Sequence, residues 1–344
     1  MIPSNEPLYG KNPTELAAIC ANLGLPRFAA RQIARWLYTR HTETPMEMSD
    51  LSLKNRELLA ARFSPVLSAP IRETVSIDGT KKYLFRTTQG AYIESAYIPD
   101  GDRATLCVSS QAGCRMGCRF CATGRQGLQH SLTAAEILNQ IVSLPERDRL
   151  TNLVFMGMGE PLDNLDEVLR ALEIITSEWG FGWSPTRVTL STAGVVPALR
   201  RFLNESKVHL AVSLHNPVHE ERMEIMPVER PWPIEEVAAI LREYDFTHQR
   251  RVSFEYIVMS GLNDSPRHIR ALCRLLDGIK CRINLIRFHK IEGSPYFSPD
   301  NEAMIRFRDT LTAKGIQTTI RASRGEDIQA ACGLLSTEER NRQE

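Results

Sequence analysis

From about residue 100 to residue 320 the chain alternates short β-branched runs with amphipathic helical ones, and this alternation limits the fold more than anything else in the sequence. Strand-like runs are ATLCVSS (104–110), NLVFMG (152–157), RVTLST (187–192), VHLAVSL (208–214), RVSFEYIVM (251–259) and RINLIRF (282–288). Helical runs such as TAAEILNQIVSL, LDEVLRALEIIT and PIEEVAAILREY lie between them. A helix over 301–314 leads to a last strand, IQTTIRA. Strands alternating with helices build a parallel sheet with helices outside it. Six β–α units fall short of the eight that close a barrel, so the expected fold class is α/β, a partial (β/α)6 TIM-like barrel. Such folds carry their chemistry on the loops that follow the C-terminal ends of the strands.

The first 66 residues differ. Residues 13–62 read as helical, and the segment RFAARQIARWLYTR (27–40) puts Phe28, Ile33, Trp36 and Leu37 on or near one face. Arg27, Arg31 and Arg35 repeat along the other face, with Arg40 one turn beyond. Such a row is either a solvated face or a phosphate-contacting one, because guanidinium forks match phosphate oxygens. KYLFRTT and YIESAYIP, joined through QGA, read as a hairpin-like bridge. The expected domains are therefore 1–66, a small helical N-terminal domain; 67–100, a β-hairpin-like linker; 101–322, the (β/α)6 core; and 323–344, a C-terminal arm.

Formal net charge is +1, so a polyanionic partner would need a local basic patch. No basic segment followed by an apolar run opens the sequence. No apolar stretch approaches the roughly 20 residues that cross a bilayer. A cytoplasmic protein with no membrane partner is expected. In that compartment clustered cysteines serve metals or redox catalysis more often than structural disulfides.

Four of the eight cysteines fall between residues 107 and 121, in CVSSQAGCRMGCRFCATG. Cys114, Cys118 and Cys121 are spaced C-x3-C-x2-C directly after the first barrel strand, with Cys107 set apart inside that strand. Three thiolates can bind zinc, but structural zinc sites are closed by four ligands, usually in two matched pairs. A cubane iron–sulfur cluster also usually has four cysteines. Held by three, it keeps one iron open to an exogenous ligand. Gly113 and Gly117 let the backbone fold tightly around a bulky group.

Further polar groups stand at successive strand ends. MGMGEPLDN (156–164) brings Gly159 and Glu160 to the end of the second strand; its plainer reading is a turn with Asp163 or Asn164 capping the next helix. STAG places Ser191 at the end of the third strand, and SLHN places Ser213, Leu214 and His215 at the end of the fourth. One such residue is usually structural; several in register point to a site.

The cysteine spacing, with Phe120 before the third thiol, resembles the radical S-adenosylmethionine superfamily. That resemblance implies a [4Fe-4S] cluster on Cys114, Cys118 and Cys121. The open iron takes the amino and carboxylate groups of S-adenosylmethionine, and Gly159 and Glu160 meet its ammonium group. The order of ATLCVSSQAGC, GMGEPL, STAG, AVSLHN and RGEDIQAACG over nearly the whole chain resembles the RlmN/Cfr family of RNA adenine methyltransferases, most closely its C2-methylating branch. The resemblance implies methylation of C2 of an adenosine in 23S rRNA and, in some members, of the adenosine beside the tRNA anticodon. Two S-adenosylmethionines are consumed per turnover. It further implies Cys332 as methyl carrier, Cys107 as the thiol that releases the product through a transient disulfide, and Glu94 as the base. It places RNA recognition in the N-terminal domain, an electron donor such as flavodoxin or ferredoxin among the partners, and the protein as a monomer. The alternatives are methylation at C8, as in the Cfr branch, and a non-catalytic iron–sulfur RNA-binding module. By residue type alone, Cys332 reads as a small buried hydrophobe in a short helix, Cys107 as an inert strand thiol and Glu94 as a solvent-facing strand carboxylate. One departure is clear: after NLI the family has a Pro-aromatic-Asn segment, whereas this chain runs NLIRFHKIEG, with His289 where the cofactor-contacting Asn would stand. Histidine can donate or accept a hydrogen bond, so the contact either survives at His289 or is remade elsewhere.

Overall fold

A computed structural model describes residues 6–64, 68–246, 251–331 and 333–335. The N-terminal unit is β1 (Glu6–Pro7), α1 (Pro13–Asn22), α2 (Ala29–Tyr38), α3 (Leu53–Ala60) and β2 (Phe63–Ser64). A capping box starts α1: Asn12 Oδ1 accepts from Glu15 N, and the Glu15 carboxylate accepts from Asn12 N. Helix α2 buries Ile33, Ala34, Trp36 and Leu37 and exposes Arg31 and Arg35, with Arg27 and Arg40 exposed on either side. The Arg40 guanidinium lies 4.1 Å over the Trp36 ring. Phe28 departs from the expected apolar face. It precedes the first turn of α2 and is 63% exposed. The unit docks on the barrel through Tyr38, whose ring meets Trp179 and Phe181 edge-on.

The main sheet has ten strands. Three antiparallel ones come first: β3 (Arg72–Val75), β4 (Lys81–Arg86) and β5 (Tyr92–Asp100). Next is β6 (Arg103–Cys107), antiparallel to β5, with Ala96 opposite Cys107. The 67–100 segment is thus an extension of the barrel sheet, because β5 turns directly into β6 and pairs along its length. Strand β6 leads into β7 (Gln111–Ala112), α4 (Ala122–Gln126), β8 (His130–Ser131) and α5 (Ala134–Val142). The β–α units continue with β9 (Asn152–Phe155) and α6 (Leu165–Thr176), then β10 (Val188–Thr192) and α7 (Val196–Glu205). After β11 (His209–Ser213) come α8 (His219–Ile225) and α9 (Ile234–Arg242); β12 (Val252–Val258) is followed by α10 (Pro266–Leu275). Strand β13 (Cys281–Arg287), α11 (Asn301–Ala313) and β14 (Gln317–Ile320) complete the core.

Strands β6 and β9 to β14 lie side by side in chain order, all parallel. This is the partial barrel expected from the sequence, and it ends at β14 without returning to β3. The strands are apolar on one face, where Leu153, Phe155, Leu190, Leu210, Val212, Phe254 and Ile283 are all buried, while the other face carries polar groups such as Ser191, Ser213, Glu255 and Asn284. Helices cover the outside with their Leu, Ile and Val stripes, as a parallel sheet requires. None of the described helices is long and apolar enough to cross a membrane.

Candidate active site

At the C-terminal mouth of the parallel strands lies one cavity, about 1470 Å³ including the part open to solvent. Cys114, Cys118 and Cys121 line it, together with Cys107, Gly159, Glu160, Ser191, Ser213, His215 and His289. Residues separated by up to 182 positions thus converge because each ends a strand or opens the loop after it.

The cysteine loop is built around close backbone approach. Strands β7 and β8 pair and close its base. Gly113 has a φ of +76°, and a Cβ there would stand 1.9 Å from the Gly127 carbonyl oxygen. Only glycine fits such a place. A Cβ on Gly124 would stand 2.9 Å from the Cys118 backbone N and O. Burial pushes the Cys114 thiol up to about 12, and Glu160 and Cys121 add to the rise. Burial also lifts Cys118 well above an ordinary thiol, reinforced by Cys121 and Cys114 and opposed by Arg222. Cys114 and Cys118 therefore resist ionisation here unless a cationic centre binds them as thiolates. The donor set fits an iron–sulfur cluster, and the cavity leaves room beside it.

Glu160 follows Gly159, whose φ is +98° and whose missing Cβ would lie 2.5 Å from Gln111 Cβ. The Glu160 carboxylate is buried. It accepts from Thr192 Oγ1 at 2.6 Å, Ala193 N at 2.8 Å and Leu162 N at 3.1 Å. Burial raises it to about 7 against these hydrogen bonds. The expected cap is not there. Asp163 accepts from Gln111 Nε2 and pairs with Arg115, and Asn164 donates to the Ser110 and Leu132 carbonyls. Both serve the cysteine loop because its base packs on this turn.

His215 has a φ of +55° and is buried. Its Nδ1 accepts from Ile257 N at 3.0 Å, which leaves the proton on Nε2. Burial, then Arg222, lowers its pKa to about 3, so it is a neutral donor. Its ring stands edge-on to Phe120 at 4.8 Å, beside the cysteine loop. Leu214 does not line the cavity. Its side chain is fully buried in the core and its carbonyl accepts from Arg222 Nε. His289 lies within reach of the C-terminal arm, 3.3 Å from Ser323 Oγ and 3.6 Å from Glu326.

Glu94 is not solvent-facing. It is 4% exposed, and Lys82 Nζ lies 3.1 Å from its carboxylate, also buried. Cys107 packs with Ala96 and Ala330 in a small apolar cluster flanked by Met156 and Ile328. Cys332 lies outside the described residues. On either side of it, Ala331 and Gly333 line the cavity. The arm before it is a hydrogen-bonded turn rather than the expected helix. Ala330 N reaches back to Gly325 O, and Gln329 takes a φ of +54°.

Some residues here were not singled out in the sequence. Glu255 and Arg321 line the cavity; the Glu255 carboxylate accepts from Ser253, Asn284 and Arg321. A lone carboxylate within the apolar run RVSFEYIVM was the available signal. Lys82 gave none, since its partner is on another strand.

Two family models match the chain: "Radical SAM superfamily" over residues 108–273 and "Ribosomal RNA large subunit methyltransferase N-terminal domain" over 7–64. A probable dual-specificity RNA methyltransferase RlmN of Phocaeicola vulgatus is 57% identical, covering 96% of this chain and 95% of its own. The dual-specificity RNA methyltransferase RlmN of Syntrophobacter fumaroxidans is 44% identical over 97% and 99%. The crystal structure of a radical SAM methyltransferase from Sphaerobacter thermophilus superposes with a TM-score of 0.89 at 42% identity, over 96% of this chain and 99% of that one. With relatives this similar over nearly all of its length, and with the cysteine loop, the strand-end residues and the N-terminal domain in the expected places, the chain belongs to the RlmN family of radical S-adenosylmethionine methyltransferases.

Proposed function

We propose that this protein methylates C2 of an adenosine in 23S rRNA, and the adenosine beside the tRNA anticodon, with two S-adenosylmethionines per turnover. One observation carries the reading: the three loop cysteines, Cys107 and both neighbours of Cys332 line a single cavity. A structural cluster or a small metal site has no use for a further thiol, Cys107, at the same mouth. Bound on Cys114, Cys118 and Cys121, the cluster supplies the electron that splits S-adenosylmethionine reductively.

The chain's own residues divide the remaining work. Glu160, Ser191, Ser213, the His215 Nε2–H and His289 orient the cofactor; His289 takes the place of the family's Asn because imidazole can make the same kind of contact. Cys332 attacks the methyl group of one S-adenosylmethionine, S-adenosylhomocysteine leaves, and the thiol carries the methyl as a thioether. That methyl gives one hydrogen atom to the 5′-deoxyadenosyl fragment of the second S-adenosylmethionine, its carbon bonds to ring C2, and Glu94 accepts the proton that leaves C2. Cys107 attacks the Cys332 sulfur, forming a disulfide and freeing the RNA. Lys82 Nζ, 3.1 Å from the Glu94 carboxylate, holds that side chain in place. A reductant such as flavodoxin or ferredoxin restores the resting state. The exposed arginines of α2 face RNA phosphates, and the domains divide at 1–66, 67–100, 101–322 and 323–344.

The test is anaerobic reconstitution with unmodified ribosomal RNA and with tRNA, followed by nucleoside mass spectrometry. Methyl at C2 is expected, and methyl at C8 overturns the regiochemistry. Cys107→Ala is expected to accumulate an RNA–protein adduct and Cys332→Ala none; adduct from the Cys332 variant reverses the two roles.

A further inference from the structure

The C-terminal arm leaves β14 at one edge of the sheet and runs to the other edge. There it meets the turn between β3 and β4, Ser76 to Thr80. Asp327 accepts from Ser76 Oγ at 2.5 Å and from Ile77 N at 3.1 Å. In the opposite direction, Asp78 accepts from Gly325 N at 2.9 Å. Arm and turn therefore each supply a carboxylate to the other, across about 250 residues of chain.

The seat is tight. Gly325 has a φ of +63°, and a Cβ there would lie 2.8 Å from Thr80 Cγ2 and 2.9 Å from Ala330 Cβ. Gly325 O in turn accepts from Ala330 N at 2.8 Å, so seating Gly325 sets the turn that brings Ala330 against Cys107. Burial opposes ionisation of Asp78, but its hydrogen bonds from Gly325 and Thr80 outweigh this and hold it at about 2. The Ser76 and Ile77 hydrogen bonds likewise lower Asp327. Beyond residue 332 the arm is tied again: Ala122 N donates to Gly333 O and Thr123 Oγ1 to Leu335 O, both at 2.8 Å. The second tie lies next to Cys121.

We propose that the Ser76–Thr80 turn is a receiver for the C-terminal arm, and that Asp78 and Asp327 are positioning residues that set where the Cys332 thiol stands relative to Cys107. The catalytic meaning of this rests on the reading of Cys332 as methyl carrier; the docking itself does not.

The experiment uses the full-length, cluster-loaded protein and three variants, Asp327→Ala, Ser76→Ala and Asp327→Asn. Asparagine keeps one acceptor for the turn and serves as the conservative rescue. Hydrogen exchange of the peptide spanning 321–335 is followed by mass spectrometry. Anaerobic oxidation by a diazenedicarboxamide then reports thiol proximity: the two thiols give up two protons and two electrons to the N=N bond and form one S–S bond, and peptide mapping quantifies the Cys107–Cys332 link. Expected are exchange faster by about tenfold and linking slower by about tenfold in Asp327→Ala and Ser76→Ala, the scale of a lost orienting contact, with Asp327→Asn close to the parent. Unchanged exchange, or an unchanged linking rate, overturns the proposal. For methylation, a fall in kcat with an unchanged KM for S-adenosylmethionine is expected. If exchange and linking respond and methylation does not, the docking stands and the methyl-carrier reading of Cys332 falls.

Discussion

Arg222 is wholly buried, and all three of its guanidinium nitrogens donate hydrogen bonds. It pairs with Glu229 and donates to the carbonyls of Ala193, Ser213 and Leu214, joining the ends of β10 and β11 behind the cavity. Breaking a buried, fully bonded pair strands one charge and costs about 3–5 kcal/mol. Arg222→Leu is expected to lose that much stability in urea unfolding. Glu94 differs, since it does not line the cavity but pairs with Lys82 on the neighbouring strand, and the proposed function gives it a proton to accept. Glu94→Gln keeps the shape and is expected to lower RNA methylation by about 10²–10⁴-fold, the usual contribution of a general base. Its unfolding midpoint is expected to fall as well, because Lys82 loses its buried carboxylate partner, so methylation is compared at a temperature where both proteins are fully folded. The cavity cysteines, Glu160 and His215 could be read from the chain because each follows a strand and sits in a short local motif. Arg222 and Lys82 could not: ERMEIMPVER and KKYLFR look like solvated segments, and only tertiary pairing buries their charges.

The elements around the cavity are joined by turns whose backbone, rather than side chains, sets their course. Gly159 ends the β9 turn at a φ of +98° with Gln111 pressed against it, whereas Gly278, at +77°, faces open space. Gly278→Ala is expected to cost only the left-handed strain, about 1–2 kcal/mol, with the KM for S-adenosylmethionine unchanged. Gly159→Ala is expected to cost more stability and also to raise that KM, because the turn carrying Glu160 has to move. Equal effects of the two substitutions on KM would count against a cofactor role for this turn. The barrel strands were legible as elements because short β-branched and apolar runs recur between amphipathic helical ones. Strand β3 was not, since RETV on an exposed edge has no such pattern and exists through its pairing with β4. The arm also misled: GEDIQAACG has helical composition, but Gly325 and Gln329 take positive φ and turn it toward Cys107.

At the scale of the molecule, the N-terminal domain and the barrel share an interface that responds to pH. His41, at a φ of +51°, packs edge-on to Phe181 near Arg147 and Asp148. Burial, then Arg147, lowers its pKa to about 4, with Asp148 opposing. An unfolded histidine takes its proton near 6.5. Between those values the unfolded chain binds more protons, so stability falls as pH drops from about 6.5 toward 4. His41→Asn, tolerated at this φ, is expected to flatten that limb when urea midpoints are compared across the range. The order of the parallel strands was readable from the alternation alone. The joining of β3, β4 and β5 to the same sheet was not, because antiparallel pairing with β6 depends on register rather than period. Among the described residues, the sheet stops at β14 on one side and β3 on the other, and the arm spans the space between them. Because a few hydrogen bonds and not a strand ladder make that join, its two sides can part and meet again without breaking any pairing inside the sheet.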